Sequence, residues 1–331
     1  MTMHDEQSAQ SVYAGSFEGA RVLITGGAGF IGSHLAAALH RLGAHVRVLD
    51  DLSGSTRANL EGFNVDLRIA SILDDSALRD AMAGCRFVFH QAAMVSVPES
   101  VERPDQCAQI NIVGTERVLE AARDAGVQRV MFASSAAVYG GAPTLPSRED
   151  QPVDCWSPYA ASKAAGETLL SAFAHCYRIS TVNLRYFNIF GPRQNPNSAY
   201  AAAISAFTKA LKSGTQPTLH GDGKQTRDFT YIDNVVHANL LAACSKRMFR
   251  GEAMNIGTGV RVSLLEVLNV MGRAMGVNVQ PTFGPPRAGD VRDSVADITK
   301  AQTLLGYHPI VDFAEGMKRT VASPMVVNAA R

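Results

Sequence analysis

Tyr159 and Lys163 are the residues of this sequence best suited to acid–base chemistry. On a helix, their spacing of four places both side chains on one face, one turn apart. A lysine ammonium beside a phenol stabilises the phenolate and lowers the pKa of the tyrosine, which then suits a general base near neutral pH. Ser135 ends a predicted strand, at the edge where open α/β sheets place their sites, and we expect its hydroxyl to bond the same substrate oxygen as Tyr159.

A tyrosine and a lysine at this spacing are most often a surface pair, so the chemistry needs support from elsewhere in the chain. Three glycines provide it, because Gly26, Gly29 and Gly32 follow a predicted strand at 22–24 and precede a predicted helix at 33–41. In that setting the first glycine permits a tight turn, the second lets the backbone approach a ligand, and the third lets the helix pack close to the strand. The N–H groups at the start of the helix then face a pyrophosphate.

Two acidic residues indicate which dinucleotide this turn binds. Asp50 and Asp51 follow a second predicted strand at 45–49. Asp50 lies about 20 residues beyond the glycines, where an acidic residue reaches the adenosine ribose. Two carboxylates would repel a 2′-phosphate, so NAD is favoured over NADP.

The elements that position these residues alternate between strand and helix. This alternation predicts an α/β fold, with a doubly wound Rossmann-type parallel sheet and helices on both faces. We expect residues 1–18 to form a flexible N-terminal extension, 19–187 an NAD-binding domain, and 188–331 mostly a smaller substrate lobe interleaved with the sheet. Further strands are predicted at 67–70, 87–89, 129–132 and 180–184, and further helices at 74–82, 105–124 and 158–177.

Composition excludes several classes of function. The 331 residues are 46% hydrophobic and 18% charged, with a net charge of +1, which favours a globular protein without a nucleic-acid partner. No apolar run approaches the ~20 residues of a membrane span, and no secretory signal is recognisable, so we expect no membrane partner. The five cysteines are scattered without a C-x-x-C pair, which favours reduced thiols in the cytoplasm and predicts no metal site.

Several motifs together resemble an extended short-chain dehydrogenase/reductase, specifically its NAD-dependent nucleotide-sugar epimerase branch. The resemblance covers roughly residues 20–320. The motifs that carry it are the segments 25–32 (TGGAGFIG), 134–140 (SSAAVYG), 157–163 (SPYAASK), 184–193 (LRYFNIFGPR), 221–229 (GDGKQTRDF), 255–259 (NIGTG) and 287–297 (RAGDVRDSVAD).

This resemblance implies a 4-epimerase. Tyr159 would remove the proton of the sugar 4-hydroxyl while a hydride passes from C4 to NAD, with Ser135 sharing the hydrogen bond and Lys163 binding the nicotinamide ribose. The implied NAD contacts are Gly26, Gly29, Phe30, Ile31, Asp50, Asp51, Ile72, Gln91, Ala92, Ala93, Asn111, Tyr159, Lys163 and Tyr186. The implied UDP-sugar contacts are Ser96, Ser135, Asn188, Tyr200, Arg227, Arg287, Asp290 and Ser294. One departure from the family pattern is Ser71, where an aspartate that contacts adenine is usual.

Local features distinguish between branches of the family. Related dehydratases and decarboxylases carry an acid just after the catalytic serine or threonine, whereas Ala136 and Ala137 follow Ser135 here. Ser294 falls where the family places a residue against the sugar C2 substituent, and a serine leaves room for an N-acetyl group that a tyrosine would exclude. The segment 195–204 and the tail before Arg21 also resemble those of bacterial UDP-N-acetylglucosamine 4-epimerases, which implies a preference for N-acetylated sugars.

Alternatives remain open on the sequence alone. They are a UDP-glucose or UDP-glucuronate 4-epimerase, a nucleotide-sugar reductase, and a catalytically silent NAD-binding regulator. The glucuronate alternative requires a cation for the C6 carboxylate, such as Arg193. By analogy with the family, we also expect a homodimer through helices 105–124 and 158–177.

Overall fold

A seven-stranded parallel sheet forms the centre of the protein, whose computed structural model describes residues 13, 15–141, 144–194, 202–285 and 291–323. The strand order is β11-β6-β5-β4-β1-β2-β3, and every neighbouring pair is parallel. These strands are β1 Arg21–Thr25, β2 His45–Asp50, β3 Asp66–Ile69, β4 Phe87–His90, β5 Arg129–Ser135, β6 Ser180–Tyr186 and β11 Arg250–Ile256. The predicted doubly wound α/β fold is confirmed.

Helices cover both faces of the sheet. Leu23 and Ile24 are successive residues of β1, and each is fully buried in a different hydrophobic cluster, as expected when both faces are covered. No helix within the described ranges is long and apolar enough to cross a membrane. The helices are α1 Phe30–Arg41, α2 Asp75–Met82, α3 Val97–Glu102, α4 Pro104–Ala108, α5 Gly114–Asp124, α6 Pro158–Tyr177, α7 Ala202–Lys212, α8 Ile232–Cys244, α9 Leu264–Met275, α10 Thr299–Leu305 and α11 Phe313–Ala322.

The strand order reverses between β1 and β4, which are neighbours in the sheet. The chain winds outward from β1 through β2 to β3, and then from β4 through β5 and β6 to β11. In open α/β sheets such a reversal leaves a crevice beyond the carboxyl ends of the two strands, where ligands bind. The glycine turn follows β1 and the segment 91–93 follows β4, so both border this crevice.

Helix α6, which carries Tyr159 and Lys163, has the predicted bounds because its ends are marked in the sequence. Ser157 is its N-cap, and the Ser157 hydroxyl accepts a hydrogen bond from the Ala160 N–H at 3.1 Å. Pro158 occupies the first turn, where its missing N–H costs nothing. Arg178 ends the helix in the left-handed conformation.

Two predicted elements differ from the structure. The helix predicted at 105–124 is divided into α4, a π-helical turn over Gln109–Val113, and α5. Strand β11 was not predicted, since it begins with an exposed arginine and a glycine and its pairing with β6 is irregular between Arg250 and Glu252. It nevertheless completes the sheet beside β6.

The C-terminal half of the chain contributes to both the sheet and its surroundings. Helix α8 packs against α1 and against strands β5, β6 and β11, so it covers one face of the sheet. Three two-stranded sheets lie outside the central one. They are β7 Ile189–Phe190 with β10 Thr230–Tyr231, β8 Thr218–His220 with β13 Thr282–Gly284, and β9 Thr226–Arg227 with β12 Val262–Ser263.

The described end of the N-terminal segment packs on the domain. Phe17 is fully buried against Phe87, with an edge-to-face ring contact at 5.8 Å between centroids. Tyr13 is also buried and hydrogen-bonds the His237 ring. This packing differs from the loose extension expected over 1–18, because two aromatic side chains anchor its last residues. Residues 1–12 lie outside the described part of the chain.

Candidate active site

Tyr159 lies in the first turn of α6, and contacts from two other elements fix it there. The Tyr159 N–H donates to the hydroxyl of Ser100, a fully buried residue of α3, at 3.1 Å. Ser135, the last residue of β5, lies close enough to the Tyr159 phenol to lower its pKa. The structure therefore brings Ser135 and Tyr159 together, as their positions in the sequence predict.

Lys163 is buried one turn beyond Tyr159. Its Nζ donates to the carbonyl oxygen of Ala133 at 2.8 Å and lies 5.8 Å from the centre of the Tyr159 ring. Burial lowers the pKa of Lys163 to about 8. An ammonium carries three donors, so the same group can also bind ribose hydroxyls.

The electrostatics of Tyr159 differ from the sequence-based expectation. Burial raises the pKa of Tyr159, and the hydrogen bond from Ser135 only partly opposes this rise. The surrounding protein groups thus favour the neutral phenol, because removing the phenolate from water costs more than the hydrogen bond recovers. Lowering this pKa requires a further positive charge close to the ring.

The glycine turn after β1 provides a close backbone cradle. Gly26 has φ +66°, and a Cβ there would lie 2.7 Å from the backbone nitrogen of Ala92. Gly29 is the N-cap of α1 and has no side chain to cap the helix, so Phe30 and Ile31 begin the helix with backbone donors directed at the crevice. This arrangement fits a ligand phosphate, because no capping side chain occupies the N–H groups at the start of α1.

Asp50 holds the glycine turn from its position at the end of β2. Its carboxylate accepts hydrogen bonds from the N–H groups of Ala28 and Leu52, both at 2.9 Å, and from the Ser55 hydroxyl at 2.7 Å. Asp51 is exposed and accepts from both the N–H and the hydroxyl of Ser53. Asp50 therefore organises the glycine turn from the carboxyl end of β2, and its contact with the adenosine ribose stays a prediction.

Asn59 is a further residue of this region that the sequence did not single out. It is buried, and its Nδ2 donates to the Ala28 carbonyl at 2.9 Å, while its Oδ1 is buried without a hydrogen-bond partner. Asn59 belongs to the short 3₁₀ helix Arg57–Leu60 in a polar loop, and nothing in its spacing links it to the glycines.

On the other side of the crevice, Gln91 and Tyr186 lie together. Gln91 donates to the Tyr186 hydroxyl at 3.4 Å, and Asn239 donates to the same oxygen at 2.8 Å. Burial raises the pKa of Tyr186 to about 12. The Gln91 Oε1 is buried with no hydrogen-bond partner, which fits a site that receives a ligand donor. Ala92 and Ala93 continue the half-buried segment beside the glycine turn.

Other predicted cofactor contacts serve the protein's own packing. The Asn111 side chain lies in the π-helical turn, accepts from the Met94 N–H at 2.7 Å and donates to the Ser162 hydroxyl at 2.9 Å. It thereby links the segment after β4 to the catalytic helix. Ile72 is buried beneath Gly114. Ser71, at the departure from the family pattern, accepts from the Leu73 N–H within a local turn.

Three predicted sugar-site residues converge around Thr226. The Asn188 Nδ2 donates to the Ser294 hydroxyl at 3.3 Å, and the Ser294 N–H donates to the Thr226 carbonyl at 3.1 Å. Arg227 donates to the carbonyls of Thr226 and Arg292, each at 2.9 Å. Asn188 is exposed and Ser294 half-exposed, so the two side chains can line one open site.

The remaining substrate predictions have different outcomes. Ser96 is the N-cap of α3 and accepts from the Glu99 N–H at 3.2 Å, and no contact joins it to Ser294 among the described hydrogen bonds. Tyr200, Arg287 and Asp290 lie outside the described residues.

Asp228 is a buried anchor of the sugar side that the sequence analysis did not single out. It is fully buried, and it accepts hydrogen bonds from the N–H groups of Thr258, Gly259 and Ala296. Burial raises its pKa despite these donors. Asp228 thus fixes the segment that carries Ser294, two residues before Ala296.

Comparison with known proteins places these features in context. Residues 22–257 match the family described as the NAD dependent epimerase/dehydratase family. The UDP-glucose 4-epimerase of Mycolicibacterium smegmatis is 40% identical over 91% of this chain and 97% of the relative.

Solved structures show the same similarity. The UDP-N-acetylglucosamine 4-epimerase from Methanobrevibacter ruminantium, in complex with UDP-N-acetylmuramic acid, is 35% identical with a TM-score of 0.88, covering 92% of this chain and 98% of that one. A variant of the UDP-glucuronic acid 4-epimerase from Bacillus cereus, in complex with UDP-4-deoxy-4-fluoro-glucuronic acid and NAD, is 32% identical with a TM-score of 0.83, covering 91% and 98%. The three proteins share the epimerase name and differ in the sugar.

Proposed function

This chain belongs to the NAD-dependent epimerase/dehydratase family, and from that premise we propose that it is an isomerase that inverts C4 of a UDP-hexose, preferentially UDP-GlcNAc and UDP-GalNAc. The observation that carries the proposal is the approach of the Ser135 side chain, at the end of β5, to the Tyr159 phenol, one helical turn from the buried Lys163, beside a dinucleotide crevice. The serine and the tyrosine are then close enough for both to hydrogen-bond one sugar hydroxyl. NAD is the cofactor, and when bound it would supply a reversible hydride acceptor for C4.

The protein's own groups move the proton. The Tyr159 oxygen takes the proton of the 4-hydroxyl as C4 is oxidised to a ketone, and gives it back as C4 is reduced on the opposite face. Ser135 donates to the same sugar oxygen and holds it against Tyr159. Lys163 binds ribose hydroxyls. The positively charged nicotinamide of NAD, when bound, would supply the further charge that opposes the effect of burial on the Tyr159 pKa.

The preference for an N-acetylated sugar rests on the size of Ser294. The Asn188 side chain donates a hydrogen bond to the Ser294 hydroxyl. Asn188 is exposed to solvent and Ser294 is half-exposed. A serine at this position leaves volume beside the sugar C2 substituent, and steric exclusion of that kind is strong in a packed site. The similarity to the UDP-N-acetylglucosamine 4-epimerase from M. ruminantium supports the same preference.

UDP-glucose is the second candidate substrate, since the M. smegmatis relative is named for it. The glucuronate alternative is less well supported by the structure. Its cation candidate, Arg193, donates to the Ser33 carbonyl at 3.1 Å and lies over the Phe63 ring, next to α1. That position is on the cofactor side of the crevice.

A substrate panel tests the proposal. Purified protein with NAD is incubated separately with UDP-GlcNAc, UDP-glucose and UDP-glucuronate, and the 4-epimers are quantified by NMR. We expect UDP-GalNAc to form fastest, without net conversion of NAD to NADH. Faster turnover of UDP-glucose would overturn the sugar preference. In a parallel incubation with added NADH, its stoichiometric consumption would indicate a reductase, whereas bound NAD without turnover would indicate a silent regulator.

The proposal includes a homodimer in the cytoplasm. Helices α5 and α6 pack side by side on one face of the sheet, and Ala161, Thr168 and Ala172 are exposed along α6 at helical spacing. Such small residues allow close approach of a second copy. Sedimentation should give a dimer for the wild type and a monomer for Ala172→Arg, and a wild-type monomer at micromolar concentration would contradict the assembly.

A further inference from the structure

A buried polar network lies directly behind the catalytic serine. The Ser134 hydroxyl donates to the Glu167 Oε1 at 2.5 Å. Arg185 pairs with both carboxylate oxygens, through Nε at 2.8 Å and Nη2 at 2.7 Å. Its third nitrogen donates to the Tyr139 hydroxyl at 2.9 Å, and Tyr139 donates to the Asn255 Oδ1 at 2.6 Å.

One end of this network is bonded to β5, the strand that carries Ser135. Lys163 and Glu167 are four residues apart on α6, so they extend from successive turns of one helix face. Lys163 holds the carbonyl of Ala133, and Glu167 holds the side chain of Ser134. Two turns of the catalytic helix thus bind two consecutive residues of β5, immediately before Ser135.

The other end reaches the segment that carries Ser294. The Asn255 Nδ2 donates to the carbonyls of Ser147 at 2.8 Å and Asp297 at 3.1 Å. The Ser147 N–H in turn donates to the carbonyl of Val295 at 2.8 Å. The network therefore connects the strand beside the catalytic serine with the segment next to the sugar-size residue.

The pair at the centre of the network is costly to keep for stability alone. Glu167 and Arg185 are both nearly inaccessible, with side chains 10% and 5% exposed. Desolvation of two charges offsets much of their attraction, and well-packed apolar residues of similar volume often stabilise a protein as much or more. What the charged pair supplies is directional bonding at fixed geometry, because the guanidinium forks over the carboxylate.

We propose that Glu167, held by Arg185, is a positioning residue that sets the location of Ser135 through its bond to Ser134. Ser134 and Ser135 are consecutive residues of β5, so holding the Ser134 side chain against the catalytic helix restrains the backbone that carries Ser135. The inference rests on the proposed epimerase function only where it is tested by enzyme kinetics.

A pair of single variants separates positioning from stability. Ser134→Ala removes the bond to Glu167 and leaves the ion pair intact. The matched control is Thr181→Val, since the fully buried Thr181 hydroxyl donates to the Leu170 carbonyl of the same helix at 2.8 Å, farther along α6. We expect kcat of Ser134→Ala to fall about tenfold or more with KM nearly unchanged, because small displacements of a catalytic group are costly. Thr181→Val should keep the wild-type kcat, and equal kcat in the two variants would overturn the proposal.

A double variant tests whether Ser134 acts through Glu167. If it does, Ser134→Ala combined with Glu167→Gln loses no more kcat than Glu167→Gln alone. Multiplicative losses would contradict the proposal.

A spectroscopic readout works without turnover. Tyrosinate absorbance of the NAD-loaded protein, taken as the difference from a Tyr159→Phe background, reports ionisation of Tyr159. Ser135 from β5, Lys163 from α6 and Cys107 from α4 face this phenol. Loss of the Ser135 bond in Ser134→Ala should move the midpoint to higher pH, and an unchanged midpoint would reject the role of Glu167. If the wild type turns over no UDP-sugar, the proposed function fails while this titration still decides the inference.

Discussion

The Nδ2 atom of Asn188 lies 3.3 Å from the hydroxyl oxygen of Ser294, although 106 residues separate the two in the chain. Asn188 lies two residues after the end of β6, with φ +25°. Ser294 is held by a backbone hydrogen bond from its N–H to the Thr226 carbonyl. The contact joins the end of the central sheet to the segment that carries Ser294, the residue proposed to limit the size of the sugar.

Ser294→Tyr should remove activity on the N-acetylated sugars and keep activity on UDP-glucose and UDP-galactose. The larger ring would fill the volume beside C2, whereas an N-acetyl group needs that volume. The two activities are compared as kcat/KM, with Ser294→Ala as the control that keeps both. If both sugar pairs respond alike to the tyrosine, Ser294 is not the size-limiting residue.

Tyr159→Phe should lower kcat by about 10²–10⁴-fold, the range typical of a lost general base. The variant should still bind NAD and unfold at the wild-type temperature, because the ring and its packing remain. Tyr177→Phe is the matched control, as Tyr177 is an exposed tyrosine at the other end of the same helix. Comparable kcat for the two variants would remove Tyr159 from the chemistry.

Gly26→Ala should weaken NAD binding and destabilise the protein by about 1–3 kcal/mol, the cost of a strained backbone. Its new Cβ would lie 2.7 Å from the Ala92 nitrogen, so the turn must open. Gly276 offers a control, because it has φ +68° and nothing within 4 Å of an added Cβ. Gly276→Ala carries the backbone strain without the clash, and it should leave NAD affinity unchanged in calorimetric titration. Equal NAD affinity for Gly26→Ala and the wild type would contradict a role of the glycine turn in binding NAD.

Protein stability should fall as the pH drops below about 6.5, partly because of His90. This ring is buried between the hydroxyls of Thr25 and Thr115, and burial lowers its pKa from 6.5 to about 3. Between these values the unfolded chain binds a proton that the folded protein does not, so stability declines with falling pH by up to about 1.4 kcal/mol per pH unit. Urea unfolding across this range measures the slope, which His90→Asn should reduce. An unchanged slope in that variant would show that His90 does not contribute.

Much of the fold and part of the site follow from local sequence signals, while the remainder depends on contacts between distant segments. The bounds of α6 were predictable because Ser157 and Pro158 mark its start, and the glycine turn because its spacing constrains the backbone. Glu167 and Asp228 carried no such signal, since each becomes significant only through partners that folding brings from far away. The upward shift of the Tyr159 pKa was equally hidden, because burial is a property of the assembled protein.

The position of helix α8 in the chain delays folding of the first half of the protein during synthesis. The helix covers a sheet built almost entirely from residues before 187, and β11 supplies the last strand of that sheet. While the chain emerges from the ribosome, the dinucleotide half is translated first, yet the part of one face that α8 covers, over β5 and β6, stays exposed until residues 232–244 have followed. The first half is therefore fully translated well before it can fold completely. A chain truncated near residue 187 would expose apolar surface to chaperones and proteases.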